Sequence, residues 1–282
     1  MSKRSFGWNE SKYNRFIKEN RGRGEGYHYT PWLKIQDFPS RGRVSRVSGI
    51  KTQRVHSLFS DLETRCFYIF DWSNKEIDIR EQFPLLEFEE TIKIAEKIGI
   101  TYPRDRETDF PIVMTTDFLL TIQNEDGICY VARTVKPSSE LDKKRVMEKF
   151  EIERRYWAER NIDWGIVTEK EIQLELVQNI QWFQSLYNFE LEGVSSSDFE
   201  MLVSLFKRQF AIDNQISIQQ VCNSFDINQN LQSGTSMSLF RYLVARKEIK
   251  VNIQTKIDIH VPLIKFGYVP NIESGETKHV IR

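Results

Sequence analysis

Residues 109–137 read DFPIVMTTDFLLTIQNEDGICYVARTVKP, and this stretch decides the fold of the N-terminal part of the chain. The runs on either side of Asn124-Glu125-Asp126-Gly127 are rich in β-branched and aromatic residues. An Asp-Gly pair between two such runs is a strong signal for a tight turn. The stretch therefore predicts a β-hairpin of two antiparallel strands.

Two registers of this hairpin are open, and both bring a carboxylate and an amine to one face. A two-residue turn at Asp126-Gly127 places Asp117 opposite Lys136, whereas a four-residue loop places it opposite Thr134. The registers share their parity, and side chains alternate between faces along a strand. Asp117 and Lys136 should therefore lie about 5.5 Å apart across the pair, or about 7–8 Å apart on the diagonal.

Such a pair suits the hydrolysis of a phosphodiester, which needs an activated water and stabilisation of the charge that builds on the phosphate. A divalent cation supplies both, and Mg²⁺ prefers carboxylate, carbonyl and water oxygens. A lysine beside the metal lowers the pKa of the attacking water or neutralises the developing charge. An ordinary cross-strand salt bridge between Asp117 and Lys136 is the alternative explanation.

The patterns around the hairpin predict a mixed α/β domain. Apolar residues recur at helical spacing in three segments, and two further segments alternate as strands do. The helices are expected over 57–72, 87–99 and 141–161, and the strands over 75–86, ended by Pro84, and from 163 into a new helix near 171. The order helix, strand, helix, hairpin, helix, strand makes a domain of about 165 residues.

Glu63 lies at the edge of the apolar stripe of the first of these helices. On a helical projection it falls about 40° from Phe59 and Phe67. It should therefore lean towards the sheet, where an unpaired carboxylate costs several kcal/mol and needs a cation. A bound metal or Lys136 would supply that cation; alternatively the side chain reaches solvent from the edge of the stripe.

From residue 170 onwards helical patterns dominate. Helices are expected over 169–187, 198–210, 217–225 and 237–249, and the alternating segment KVNIQTKIDIHV follows at 250–261. Three short helices followed by a β-ribbon describe a winged-helix arrangement. A small helical bundle is the alternative.

The first 56 residues form a basic arm. They hold 13 Lys and Arg against 4 Asp and Glu, which leaves 27 against 36 in the remainder, since the totals are 40 and 40. A basic segment attached to an acidic remainder is typical of a protein that binds a polyanion through that segment. Aromatic residues, which are scarce in disordered tails, are interleaved with the arginines. We therefore expect a partly ordered DNA-contacting arm, with a disordered tail as the alternative; the candidate contacts are Arg21, Arg23, Arg41, Arg43 and Arg46.

Composition argues against membrane, secreted and zinc proteins. No run approaches the roughly 18 apolar residues of a membrane span, and no apolar segment follows the charged N-terminus. Cys66, Cys129 and Cys222 are far apart without zinc spacing, and the histidines show no metal spacing either. The sequence predicts reduced, buried thiols in a cytoplasmic protein.

With these residues in place, the sequence resembles the TnsA family, the endonuclease subunits of heteromeric transposases in cut-and-paste bacterial transposons. The resemblance extends from Arg21 to about Ile172 and rests on RGRGEGYHYTPWL, RVHSLFSDLE, DIREQFPLL, MTTDFLL, VKP, EKFEIERRYW and WGIVTEKEI. It implies an α/β restriction-endonuclease-like nuclease domain, a mixed sheet flanked by helices, followed by a small winged-helix-like C-terminal domain. The expected division is an arm over 1–56, a catalytic domain over 57–169 and a C-terminal domain over 170–282.

The resemblance also implies the chemistry and the partners. It implies Mg²⁺-dependent cutting of the 5′ strands of double-stranded DNA at the transposon ends, with Mn²⁺ as a substitute for Mg²⁺. A DDE transposase, TnsB, would cut and join the 3′ strands, and the C-terminal domain would contact the AAA+ regulator TnsC. The catalytic residues fall on Glu63, Asp117 and Lys136, with the carbonyl of Val135 as a further metal ligand. The family usually carries Glu or Gln where this chain has Thr134, whose hydroxyl would act only through a metal-bound water.

Two other functions stay open from the sequence. Thr134 would fit a catalytically weak DNA-binding adaptor that bridges transposon ends and the AAA+ regulator. An unrelated restriction enzyme or junction resolvase would cut DNA without such partners. Of the lesser candidates, Glu81 points into the site or pairs with an arginine. Arg154 and Arg155 are expected on a solvated helix face, and Tyr156 and Trp157 in the core.

Overall fold

The computed structural model describes residues 7–37, 43–212 and 215–262. These residues form two compact units, of which the first ends at Ile172 and the second begins at Gln173. The division into arm, catalytic domain and C-terminal domain made from the sequence stays a proposal.

The first unit is built around a four-stranded mixed sheet. Its strands lie in the order β3-β4-β5-β6, antiparallel except that β6 runs parallel to β5. A separate hairpin pairs β1 with β2. The elements are α1 (Glu10–Lys18), β1 (Ser45–Ser48), β2 (Val55–Leu58), α2 (Asp61–Trp72), β3 (Glu76–Pro84), α3 (Phe88–Lys97), β4 (Thr115–Asn124), β5 (Gly127–Val135), α4 (Lys144–Ala158) and β6 (Asp163–Val167). The mixed α/β fold class predicted from the sequence is confirmed.

The β4–β5 hairpin forms in the second of the two predicted registers. Asn124 pairs with Gly127, and the ladder continues to Phe118 opposite Arg133. In this register Asp117 would follow opposite Thr134. β5 then pairs with β6 as far as Val135. The hairpin therefore carries Asp117 and Lys136 to the same end of the sheet.

The first predicted helix begins later than its apolar spacing suggests. Ser57 and Leu58 belong to β2, so the prediction of a helix from residue 57 is wrong there. The Ser60 side chain accepts a hydrogen bond from the Glu63 backbone N–H and starts α2 at Asp61. A serine with a glutamate three residues later marks a helix start, and this signal outweighs the spacing of the preceding residues.

Strand β3 also departs from a regular alternation. It ends at Pro84 as predicted. A register irregularity lies between Glu76 and Asp78, and it leaves Ile77 exposed while Ile79 is buried. Ile77 therefore does not pack into the core beside Ile79.

Helices α3 and α4 cover one side of the sheet and make the main core. Tyr156 and Trp157 lie in it, as predicted, whereas Arg154 and Arg155 bind Glu151 on the exposed face of α4. The buried members of this core are Leu85, Ile94, Ala95, Tyr102, Met114, Leu119, Ala132, Ile152, Tyr156 and Trp157.

The N-terminal segment is part of the first unit's interior. Phe16 of α1 and Trp32 pack with Val113 in a second apolar cluster. The Trp8 indole N–H donates to the carbonyl oxygen of Pro111 at 2.8 Å. These contacts make the described part of the predicted arm a structural element of the first unit.

The second unit consists of four described helices: α5 (Leu174–Gln184), α6 (Ser196–Ile212), α7 (Ile218–Asn228) and α8 (Thr235–Ala245). They enclose a core rich in phenylalanine, since Phe206, Phe210, Phe225 and Phe240 are all buried. Ser217 and Gln220 form a capping box that starts α7. The helical segments predicted for this part are thus present.

The β-ribbon predicted over residues 250–261 is wrong, because no strand forms within 250–262. The buried Asn179 side chain of α5 binds this segment. Its amide donates to the carbonyls of Ile253 and Thr255 at 2.8 and 2.7 Å, and its carbonyl accepts from Ile257 N–H at 3.2 Å. Backbone groups that a hairpin would pair are therefore taken by one side chain.

Two composition-based expectations can be compared with the structure. Cys66 and Cys222 are buried free thiols as predicted, but Cys129 is exposed because it lies on β5 near the hairpin turn. Across the described ranges, no helix has the length and apolar character needed to cross a membrane.

We expect Asn179→Ala to loosen residues 250–260, because two carbonyls and one N–H of this segment lose their hydrogen-bond partner. Each such hydrogen bond contributes about 0.5–1.5 kcal/mol. Hydrogen–deuterium exchange of the full chain should show faster exchange across this segment. Asn223→Ala, which removes an exposed amide on α7, is the control and should leave the exchange unchanged. Equal exchange in both variants would contradict this role of Asn179.

Candidate active site

One cleft of the first unit gathers the residues that the sequence nominates. It has a volume of about 400 Å³, and Glu63, Asp117, Thr134, Val135 and Lys136 all line it. These residues come from α2, β4 and the end of β5. The apolar part of the lining includes Trp8, Trp32, Leu33, Ile112, Val113 and Phe150. The fold therefore brings the predicted site residues together.

Glu63 is fixed by the first turn of α2. Its carboxylate accepts hydrogen bonds from Phe59 N–H at 3.0 Å and from the Ser60 hydroxyl at 2.9 Å. Only 7% of the residue is exposed. Burial, followed by the nearby Asp117 carboxylate, raises the pKa of Glu63 to about 8. The carboxylate leans inwards, as the sequence predicts, and two donors at the helix start orient it.

Asp117 faces Glu63 from β4. Its Oδ2 accepts a hydrogen bond from Val135 N–H at 2.7 Å. Burial raises the pKa of Asp117 to about 6, although this hydrogen bond and the Lys136 charge act in the opposite direction. Within the described ranges, no carboxylate lies within 4 Å of the Lys136 amine, so the simple cross-strand salt bridge does not form.

Gln82 of β3 joins the two carboxylates, and the sequence analysis missed it. Its amide nitrogen lies 3.4 Å from Glu63 Oε2 and 3.2 Å from Asp117 Oδ1. Alternation along β3 places Gln82 on the face opposite Glu81, but a single amide near the Pro-terminated end of a strand forms no functional pattern by itself.

Glu153 of α4 is the second residue that the sequence analysis missed. It is 2% exposed, lines the cleft, and accepts hydrogen bonds from the hydroxyls of Thr116 and Thr134 and from the Trp164 indole. Burial raises its pKa to about 7, and these donors act against the rise. The Thr134 hydroxyl is therefore engaged with a carboxyl group that reaches the cleft from the neighbouring helix.

Lys149, one turn before Glu153 on α4, also lines the cleft. Burial, with smaller contributions from Arg145 and Lys136, lowers the pKa of this amine. The cleft thus contains two lysines beside three carboxyl groups. This composition suits a ligand that carries negative charge and binds a cation at the same time.

Glu81 pairs with an arginine, so the second of its two predicted orientations is confirmed. Arg54 binds its carboxylate through two nitrogens, and His56 Nδ1 lies 2.8 Å from Oε2. Burial alone would raise the pKa of Glu81, but His56 and Arg54 outweigh it and lower the pKa to about 2. This buried cluster ties β2 to β3 next to Gln82.

The arginines nominated for DNA contact have different environments. Arg21 is 4% exposed, bonds Asp37 and the Trp32 carbonyl, and lies over the Phe16 ring, so it is not available to a phosphate. Arg23, Arg43 and Arg46 are exposed. Arg41 lies outside the described residues.

The carboxyl groups of Glu63 and Asp117 fit a hard divalent cation that completes its coordination with other oxygen ligands, such as waters. Glu63 and Asp117, which both have raised pKa values, face each other, and this is costly unless a cation or protons compensate their charges. Mg²⁺ is commonly held by one or two carboxylates together with waters and substrate phosphates. In the described parts of the chain, no cluster of three or more His, Cys, Asp or Glu side chains has metal-site geometry. A cation here would therefore depend on oxygens from water, backbone or DNA.

Comparisons with known proteins match both parts of the chain to family models. The family model described as TnsA-like endonuclease N terminal matches residues 73–169, and that described as TnsA endonuclease C terminal matches residues 171–253. The chain is also 41% identical over 256 residues to the Transposon Tn7 transposition protein TnsA of Escherichia coli. This alignment covers 90% of each chain.

We expect metal-free protein to lose stability as the pH rises towards 8, because the folded state holds the Glu63 proton more tightly than the unfolded state. Stability from this group is complete below the usual pKa near 4.5 and is lost as pH rises through about 8. Glu63→Gln removes this dependence. In EDTA, its melting temperature relative to wild type should rise by several degrees between pH 5.5 and 8.5.

The control for this measurement is Glu96→Gln, which changes an exposed glutamate of α3. Its melting temperature should stay at a constant offset from wild type over the same pH range. A constant offset for Glu63→Gln as well would show that the Glu63 carboxyl titrates as it does in the unfolded chain.

Proposed function

Because the chain belongs to the TnsA endonuclease family and is a DNA endonuclease of transposition, we propose that it hydrolyses the 5′ strands at transposon ends. The observation that carries the proposal is the cleft in which the buried carboxyl group of Glu63 and the half-buried one of Asp117, from different elements, lie beside Lys136. Mg²⁺ is the proposed cofactor, with Mn²⁺ as a substitute.

Glu63 and Asp117 are the proposed metal ligands, together with the carbonyl of Val135. A bound divalent cation would activate water and stabilise charge on the phosphate. The hydrogen bonds from Phe59, Ser60 and Val135 hold the two carboxylates so that their remaining lone pairs stay available. We propose that Thr134 acts on the site through Glu153, which it binds, as well as through any metal-bound water.

Lys136 is the proposed partner of the attacked phosphate or the attacking water. Its charge already lowers the pKa of Asp117, so the amine lies near the carboxylate cluster. A cation at this position neutralises negative charge that grows on the phosphate during hydrolysis. Lys149, which lines the same cleft, adds positive charge for the DNA backbone.

The partners follow from the family. We propose that the substrate is double-stranded DNA at transposon ends, brought to the cleft by the DDE transposase TnsB, which processes the 3′ strands. The four-helix second unit is the proposed contact with the AAA+ regulator TnsC. Its match to the C-terminal family model supports this assignment.

A supercoiled-plasmid nicking assay with Mg²⁺ or Mn²⁺ and TnsB tests the active site. Lys136→Ala, Glu63→Gln and Asp117→Asn should each reduce nicking by at least about 100-fold, because each removes stabilisation of the transition state. Lys144→Ala, which changes a 92% exposed lysine side chain on α4, is the matched control and should nick like wild type.

Equal nicking by wild type and Lys136→Ala would refute the assignment of this cleft. If neither protein nicks in a complete transposition mixture, the adaptor function, in which the chain only bridges transposon ends and the regulator, explains the protein better.

Exposed arginines of the N-terminal region should contribute to DNA binding. We expect Arg23→Ser, Arg43→Ser and Arg46→Ser together to flatten the salt dependence of DNA affinity, by about one unit of slope per lost phosphate contact. Fluorescence anisotropy over a salt series measures this slope. Removal of residues 1–56 is not a usable test, because Phe16 and Trp32 belong to the core.

Arg154→Ser is the control for these substitutions, since Arg154 is exposed but bound to Glu151. It should keep the wild-type slope. A triple variant with an unchanged slope would exclude these three arginines from the DNA interface.

A further inference from the structure

Gln82 has a backbone conformation that only a few residue types adopt readily. Its φ is +48°, in the left-handed region, although it lies within strand β3. Residues with side chains avoid this region because Cβ crowds the backbone. Such conformations persist where surrounding contacts enforce them, and they concentrate at functional sites.

Contacts on both sides of Gln82 enforce the conformation. Glu81 before it is fully buried in the cluster with Arg54 and His56. Phe83 after it pairs with Thr116 of β4. The Gln82 carbonyl itself accepts a hydrogen bond from Trp32 N–H at 3.3 Å.

The side chain that results is buried and directed at both carboxylates. An amide NH₂ group can donate two hydrogen bonds, and this one lies 3.4 Å from Glu63 Oε2 and 3.2 Å from Asp117 Oδ1. The amide oxygen accepts from the Thr115 hydroxyl at 3.4 Å. The opposite amide orientation would set an oxygen against two carboxylates, so the hydrogen-bond partners fix which atom is the donor.

Each carboxylate has its own local backbone donor, but Gln82 contacts both. Glu63 is oriented from its own helix by Phe59 and Ser60, and Asp117 is oriented from β5 by Val135. None of these donors contacts both carboxylates. Gln82 fixes the two carboxylates relative to each other.

We propose that Gln82 is a positioning residue that holds Glu63 and Asp117 in the mutual orientation that binds one divalent cation. This inference rests on the proposed function, because the cation is the ligand of the same site. Partners that orient metal ligands typically change metal affinity by about 10–100-fold when they are removed.

The test is direct binding of Mn²⁺ to the full chain without DNA, followed by the electron paramagnetic resonance signal of free Mn²⁺. Gln82→Gly removes the amide, and glycine adopts φ +48° freely. We expect its Kd for Mn²⁺ to be about 10–100-fold higher than that of wild type. Gln53→Gly is the matched control, since Gln53 has φ +51° and is exposed away from the cleft. Its Kd should stay within about twofold of wild type.

Nicking provides a second readout that a purely structural role would not give. Raising the Mn²⁺ concentration should restore nicking by Gln82→Gly, because the metal ligands are still present. It should not restore nicking by Asp117→Asn, which has lost a ligand. If Gln82→Gly does not fold, Gln82→Asn serves instead: asparagine tolerates the left-handed region, and its shorter side chain cannot span both carboxylates.

A Kd of Gln82→Gly within twofold of wild type would overturn the inference and leave the proposed function intact. If wild type binds no Mn²⁺ at concentrations that support nicking, the inference is overturned too, and nicking still supports the endonuclease site. Loss of both Mn²⁺ binding and nicking in wild type would remove the proposed function itself.

Discussion

Two carboxyl groups that face each other away from water cannot both carry a charge unless a cation or hydrogen-bond donors compensate it, and this constraint explains much of the first unit. Removing Glu63 and Asp117 from water favours their protonated forms, as their raised pKa values show. Like charges in such a setting repel strongly, because little water screens them. The fold therefore has to supply hydrogen-bond donors at fixed positions around the pair.

These donors come from three different elements of the first unit. The start of α2 supplies Ser60 and Phe59, and the end of β5 supplies Val135. The bridging amide of Gln82 depends on a longer chain of contacts, since its strained backbone is held between Glu81 and Phe83. Breaking a buried pair such as Arg54–Glu81 costs about 3–5 kcal/mol, so the geometry of the cleft depends on ion pairs that never touch it.

Local rules were enough to predict the hairpin and the shared face of Asp117 and Lys136, because turn chemistry and strand parity act within a few residues. These rules failed where a side chain far away in the sequence determines the conformation or burial of a residue. Residues 250–261 do not form a ribbon, because the Asn179 side chain binds backbone groups of this segment. Arg21 is buried because it pairs with Asp37. Gln82 and Glu153 escaped notice because nothing in their own neighbourhoods signals a site, which exists only after β3, β4 and α4 have packed.

The lining of the cleft has a consequence for the order in which the site forms during synthesis. Trp8 and Trp32 line the same space as Glu63, Lys136 and Glu153, so the cleft is shared between the early and middle parts of the chain. Synthesis proceeds from the N-terminus, and domains fold as units. A nascent chain that has not yet reached α4 therefore has all three proposed catalytic residues but lacks Lys149 and Glu153, which complete the lining of the cleft.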